Sequence, residues 1–428
     1  MEIYVVKEGD TIDSIAERFD VPVDRLILDN GFSSPVRLIV GQALIIAYPK
    51  QTHIVQEGDT LDSIAEQYQV SLMQILRNNS FLADREYIYP GETLIISYAT
   101  NGSVTTNGYV FAFIRREILL RVLPNLTYLS IFNYTASEEG EIIQYRDDTE
   151  LIQISLEYGV IPLLMITTST QLGEPNIEIA FNILLSEEAQ DRNIEQFMEI
   201  IKSKGYQGIN MVFNYLNRDS QMLYLNFTKK VSERLQQEGL LFFITINYSL
   251  QIRDGDITME QIDYAAFNTY ADGFIFLKFV WGVNNDPPAP IINNNNIRML
   301  LDYVTQSIPS DKLMTGNPIF GYDWLLPYIP GRTIATSMTV NSVYELAYET
   351  GAVIQFDENS QTPFFFYQQI IGIPVEHIVW FVDVRSIVGI NEIVKEYSLG
   401  GSGIWNLMFY YPQLWVSINS QFDIIKLI

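Results

Sequence analysis

Apolar residues near the start of the chain change their spacing twice within fifty positions. Ile3 to Val6 reads as a short strand. After Gly9-Asp10-Thr11 the apolar residues Ile12, Ile15, Ala16 and Phe19 recur at intervals of three and four, the spacing of one helix face, with Thr11 placed as its cap. A second short helix is predicted around Val23 to Leu28, and Gly41-Gln42 turns the chain into the strand Ala43 to Ile46. The same pattern returns 49 residues later: Val6 to Glu17 aligns with Val55 to Glu66, Phe19 and Val21 with Tyr68 and Val70, Leu26 with Ile75, and Asn30 with Asn79. After one inserted residue, Gly41 and Leu44 to Ile46 align with Gly91 and Leu94 to Ile96. Two tandem β-α-α-β units are therefore predicted, at 1–49 and 50–98.

Residues 99–107, rich in Thr, Asn and Ser, read as a linker to a domain over 108–428. There strand-length apolar runs alternate with helical periodicity, as in Asn193 to Lys204 and Thr228 to Glu238. Strands are predicted at Tyr109–Ile114, Thr127–Tyr134, Ile161–Thr167, Gly208–Asn214, Leu240–Asn247, Ala271–Phe279, Leu313–Gly316 and Ser402–Met408. Eight strands alternating with helices predict an α/β fold, a (β/α)8 TIM barrel. Between its last two strands, Val353–Phe356, Phe364–Tyr367 and Ile378–Phe381 predict a small α+β insertion with antiparallel strands.

Composition narrows the function classes. Of 428 residues 48% are hydrophobic and 18% charged, which suits a packed chain rather than a disordered one. A formal charge of −25 opposes phosphate backbones and anionic lipid heads, so neither nucleic acid nor a membrane is an expected partner. There is no cysteine, and His53 and His377 are the only histidines; no metal site and no cofactor are expected. Met1 to Asp10 has no basic stretch followed by an apolar one, and the apolar runs fall short of the roughly 18 residues of a membrane span. A product made in the cytoplasm without a signal peptide is expected.

The repeated Glu-Gly-Asp-Thr turn in a β-α-α-β unit of under fifty residues resembles the LysM family, whose members bind N-acetylglucosamine-containing glycans such as peptidoglycan and chitin. The resemblance places a sugar groove at Gly9, Asp10, Thr11, Asn30, Gly31 and Phe32, and in the second copy at Gly58, Asp59, Thr60, Asn79, Ser80 and Phe81. The residues themselves admit an architectural reading as well. Gly9 suits a tight turn, Thr11 a helix cap, and Asn30 and Asn79 a helix C-terminus.

Strand four, Gly205-Tyr-Gln-Gly-Ile-Asn-Met-Val-Phe-Asn-Tyr-Leu216, behind an amphipathic helix and two LysM units, resembles glycoside hydrolase family 18, in the branch of spore cortex-lytic enzymes. Gly321-Tyr-Asp-Trp-Leu-Leu-Pro327, Val379 to Ser386 and Gly400-Gly-Ser-Gly-Ile-Trp405 support it. The family's Asp-Gly-x-Asp-x-Asp-x-Glu pattern falls on Gln207, Gly208, Asn210, Val212 and Asn214, so the resemblance implies that each carboxylate is replaced. In the family the final glutamic acid protonates the glycosidic oxygen while the substrate's acetamido carbonyl attacks the anomeric carbon. The tyrosine expected near strand six is Phe279. Trp405, Tyr322 and Trp324 are the expected aromatic platform for a sugar ring, and Trp405 serves equally as a core residue.

These replacements predict a pseudoenzyme: a non-catalytic glycan-binding or structural protein of the spore surface, coat or exosporium, its barrel a scaffold or lectin, with peptidoglycan, other spore-surface proteins or itself as partners. Two alternatives stand beside it. One is an active cortex-lytic N-acetylglucosaminidase using a carboxylate elsewhere, with Asp219, Glu187, Asp272, Asp323 and Asp383 as candidates. The other is a self-assembling coat or appendage subunit.

Overall fold

Eight parallel strands close on themselves in the computed structural model, which describes residues 1–83, 85, 87–169, 176–248, 250–253, 256–277 and 283–428. The strands are Ser103–Phe111, Tyr128–Phe132, Ile161–Ile166, Gly208–Phe213, Leu241–Ile246, Gly273–Phe276, Leu313–Pro318 and Gly401–Trp405, numbered one to eight below. Each pairs in parallel with the next. Strand eight returns to strand one with Gly401 opposite Thr105 and Ile404 opposite Gly108. All eight overlap the predicted strands; the stretch 278–279 of the sixth prediction lies outside the described residues. The helices pack on the outer face of this barrel, as in the (β/α)8 fold.

Strand one begins at Ser103, inside the segment read as a linker. Its polar residues are what misled. Thr106 and Asn107 are fully buried, Thr106 Oγ1 donating to the Asn125 carbonyl at 2.6 Å, and Asp423–Ile424 adds a parallel pairing beside Ser103 and Val104. A threonine hydroxyl with such a partner is accommodated inside a sheet, which hydropathy does not reveal.

The insertion is larger than predicted. Six antiparallel strands run in the order Val283–Asn284, Ala335–Thr339, Phe320–Leu326, Ile373–Phe381, Thr362–Ile371 and Gln355–Asp357, with helix Val340–Thr350 packed on them. Phe320–Leu326, with Asp323 in its middle, was not among the predicted strands. Here Tyr367 Oη donates to Asp323 at 2.7 Å and His377 Nδ1 lies 3.0 Å away, so the carboxylate is partnered within the sheet.

Each N-terminal repeat folds as predicted. The first comprises Glu2–Val5, Ile12–Phe19, Val23–Asn30 and Ala43–Ile46, and the second Gln51–Ile54, Leu61–Tyr68, Leu72–Asn78 and Thr93–Ser97. Both repeats seat on the barrel. Val416, on helix Pro412–Asn419, packs against Ala43 and Ile45 of the first repeat's strand and against Ile95 and Tyr98 of the second. Gly41 approaches so closely that a Cβ there would stand 1.9 Å from the Ile354 carbonyl oxygen, and its φ of +88° also favours glycine. Among the described residues no helix is long and apolar enough to cross a membrane.

Behind the C-terminal pairing, Lys426 Nζ donates to the carbonyls of Leu123 and Tyr158 at 2.9 and 3.0 Å. Burial, and then the Arg77 guanidinium, push its pKa down to about 7. From about pH 7 to about pH 10 the unfolded chain holds this proton more tightly than the folded one, so this group's contribution to stability rises with pH across that window. The urea midpoint is expected to rise more between about pH 7 and pH 9.5 in the parent protein than in Lys426→Met. Equal rises in the two proteins would refute the assignment.

Candidate glycan-binding and catalytic site

Side chains alternate along strand four, so Gly208, Asn210, Val212 and Asn214 share its barrel-facing side. Gln207 precedes the strand at its N-terminal end. It is exposed, and its Nε2 donates to the Gly205 carbonyl, far from the end where the barrel opens. Asn210 is fully buried in a neutral network: its Nδ2 donates to Ser130 Oγ at 2.8 Å, and Thr245 Oγ1 donates to its Oδ1 at 2.7 Å. Thr245 also meets Tyr109 Oη at 2.6 Å, and Ser130 donates to Asn107 Oδ1. Burial holds the Tyr109 phenol well above its ordinary pKa, so it stays protonated. Val212 joins the apolar filling of the barrel with Met165, Phe243, Ile275 and Met314. Phe279 lies outside the described residues.

Asn214 stands half-buried at the strand's exit. Its Nδ2 lies 3.4 Å from Ser169 Oγ, and its Oδ1 is buried without a hydrogen-bond partner among the described residues. Ser169 Oγ in turn lies 3.0 Å from Thr167 Oγ1, giving the mouth a small set of neutral donors and acceptors.

The three residues of the expected aromatic platform are buried. Trp405 is only 2% exposed, edge-on to Tyr109 at 5.5 Å and to Phe111 at 6.1 Å, so it fills the barrel rather than presenting a face. Tyr322 and Trp324 are buried inside the insertion with Ala335 and Ile378, and Trp324 Nε1 donates to the Asp286 carbonyl. Phe113, which the sequence reading missed, does reach solvent. It is 51% exposed just past strand one, stacked on Phe111 at 5.3 Å, with Arg146 5.3 Å from its ring centroid. The alternation of Phe111 and Phe113 directly after a strand was the available signal.

Most of the candidate carboxylates serve the fold. Asp272 accepts from the Phe242 N–H at 2.8 Å, at the N-terminal end of the strands. Asp383 is buried, caps helix Val384–Glu396 and pairs with Arg385 at 2.6 Å. Asp323 is bound within the insertion, and Glu187 sits in the first turn of helix Glu187–Lys204. Asp219 is exposed on the loop leaving strand four. Beside it the Arg218 N–H donates to Glu260, which follows strand five and had not been singled out.

In the repeats, several expected sugar ligands are occupied by local structure. Asp10 accepts from the Lys7 N–H at 2.7 Å and from Tyr4 Oη at 2.8 Å; the Lys7 bond is the main cause holding its carboxyl below the ordinary value. Asp59 repeats this with the Gln56 N–H and with His53 Nε2 at 2.8 Å. Thr11 and Thr60 form capping boxes with Ser14 and Ser63. Asn30 and Asn79 are buried staples between helix and strand. Asn79 Nδ2 donates to the Ile75 and Ile95 carbonyls at 2.9 and 2.7 Å, while the Ile95 N–H donates to its Oδ1 at 2.9 Å. Phe32 and Phe81 are half-buried against the repeat cores, and Ser80 opens a short turn of helix. Gly9, Gly58 and Gly31 remain exposed at the loops.

The architecture is thus a closed barrel with an antiparallel insertion, carrying two βααβ modules. Residues 165–409 match the family described as Glycosyl hydrolases family 18, and residues 4–47 and 53–97 match the LysM domain. The chain belongs to glycosyl hydrolase family 18 and carries two LysM domains. It is similar to the cortical fragment-lytic enzyme of Bacillus subtilis (strain 168), 31% identical over 432 aligned residues that cover 100% of this chain and 99% of that one. The cortical fragment-lytic enzyme of Bacillus anthracis is 29% identical with the same coverage. Among solved structures, the spore cortex-lytic enzyme SleL of Bacillus megaterium QM B1551 superposes with a TM-score of 0.79 at 28% identity, covering 100% of this chain and 99% of that one.

These relatives overturn the expectation of a pseudoenzyme and of a non-catalytic glycan-binding or structural protein. Proteins matching the chain from end to end, repeats and barrel together, bear the names of lytic enzymes. The expectation rested on four positions of one strand and one residue near another, and it took the absence of a carboxylate at those positions for the absence of chemistry.

The staples make a clear prediction. Asn79→Ala strands the buried Ile95 N–H, a loss of about 1–3 kcal/mol, so chemical denaturation should show that destabilisation. Weakened glycan binding at unchanged stability would instead make Asn79 a ligand.

Proposed function

We propose that the chain cleaves the glycan of spore peptidoglycan, its LysM pair holding N-acetylglucosamine-containing strands while the mouth of the barrel acts on them. The observation that carries this reading is the end-to-end correspondence with the cortical fragment-lytic enzyme of Bacillus subtilis, in which no domain is missing on either side. The same correspondence supports a spore-associated protein whose partner is peptidoglycan.

The chemistry constrains which residues take part. Protonation of the glycosidic oxygen needs an acid, and Asn214 has no titratable proton. The acid is then drawn from carboxylates beside the exit of strand four, Asp219 or Glu260, the latter accepting from the N–H of Arg218, the residue before Asp219. Phe113 offers the exposed ring on which a pyranose lies.

Release of reducing ends from purified cortical fragments is the test. The parent protein is expected to turn them over, and either Asp219→Asn or Glu260→Gln is expected to lower kcat by about 10²–10⁴-fold, the span of a lost general acid. No release by the parent protein overturns the proposed activity. Full activity in both variants overturns the acid assignment alone.

A further inference from the structure

A cavity of about 290 Å³ lies where the first LysM repeat meets the insertion of the barrel. Phe32, Ser34 and Arg37 of the loop between the repeat's second helix and last strand form one wall, and Asn341, Glu345 and Tyr348 of helix Val340–Thr350 form the other. The walls are held in place. Gln413 Nε2 donates to Asn30 Oδ1 at 2.8 Å at the start of the loop, and at its end the Ile354 N–H donates to the Val40 carbonyl at 3.0 Å.

The lining is that of a carbohydrate site. Tyr348 is 46% exposed and Phe32 half-buried, aromatic surface for the apolar face of a pyranose; Ser34, Asn341 and Glu345 supply donors and acceptors for hydroxyl and acetamido groups. The Arg37 guanidinium lies 5.0 Å from the Tyr348 ring centroid, and among the described residues neither Arg37 nor Glu345 has an ion-pair partner. The second repeat differs at this point. Its Arg85 lies over Phe81 but pairs with Glu92 at 2.5 Å, so its charge is spent internally. In a chain of net charge −25, an arginine left unpaired beside an aromatic ring suits an anionic group on the ligand.

We propose that this cavity is a glycan subsite shared by the first repeat and the insertion. It takes one N-acetylhexosamine unit of peptidoglycan on Tyr348, with a carboxylate of the attached peptide at Arg37. The proposal rests on the reading of the LysM pair as glycan-binding. It adds a second wall, contributed by the barrel, which an isolated repeat lacks.

Calorimetry on the full chain with two probes, chitotetraose and a disaccharide-tetrapeptide, separates the parts. Tyr348→Ala is expected to weaken both probes about threefold to tenfold, the size of a lost aromatic contact. Arg37→Gln is expected to weaken the disaccharide-tetrapeptide several-fold and leave chitotetraose unchanged. Asn341→Trp, which fills the cavity from the barrel side without removing any wall, is expected to weaken both and guards against a folding defect in the first variant. If the parent binds both probes and all three variants match it, the shared subsite is wrong while the LysM reading stands. If the parent binds neither probe, both are wrong.

Discussion

One buried amide joins the two halves of the molecule. Gln413, on the helix after strand eight, donates from Nε2 to Asn30 Oδ1 and to the Ala43 carbonyl, and accepts from Tyr411 Oη at 2.5 Å. A buried amide is tolerated only when its donors and acceptor are met, so the first repeat has one orientation in which this side chain is satisfied. The same helix ends on Asn419, whose Nδ2 donates to the Arg77 carbonyl of the second repeat and to Asn125 Oδ1 of the barrel. Between them Val416 supplies apolar contact to both repeats. Three residues of one helix, Gln413, Val416 and Asn419, thus fix three bodies, and the cavity lies at the seam they hold.

The parts of the fold legible in the sequence are those where burial and hydropathy coincide. The runs Ile161–Ile166 and Gly208–Phe213 are buried along their whole length, as parallel strands are, and both were read within one residue of their ends. The repeats were legible for another reason, because their caps and turns recur at a fixed offset. What was lost is polar chain buried on hydrogen bonds: Thr106 and Asn107 at the start of strand one, and Asp323 in the insertion. Residue type alone does not distinguish a loop threonine from one whose hydroxyl meets a carbonyl inside the sheet.

The site was legible to a different degree. The fourth strand was found, but the residues on and around it were ranked by type rather than by direction. Trp405 was expected as a sugar platform through the family resemblance, with a core role as the other reading; the ring packs edge-on against Tyr109 and Phe111 inside the barrel. Asn30 and Asn79 were expected in a sugar groove because the LysM resemblance places the groove at their loops. Their amides instead complete the hydrogen bonding along the outer edge of a strand that has a neighbour on one side only.

The rigid seam also bears on how a polymer is handled. Five strands of the insertion follow strand seven and the sixth, Val283–Asn284, follows strand six, so it rises from the C-terminal end of the barrel, the end at which active sites of this fold are built. The first repeat rests on that insertion through Val40 and Gly41. A glycan held by the repeat is therefore presented on the mouth side at a set distance, rather than swept over a volume by a flexible tether. Tethering by a loose linker raises effective concentration but loses it as the linker lengthens; a fixed seam keeps it only for substrates whose geometry spans both sites. On the proposed function, a glycan strand reaching both sites gains from the two at once, which a shorter one does not.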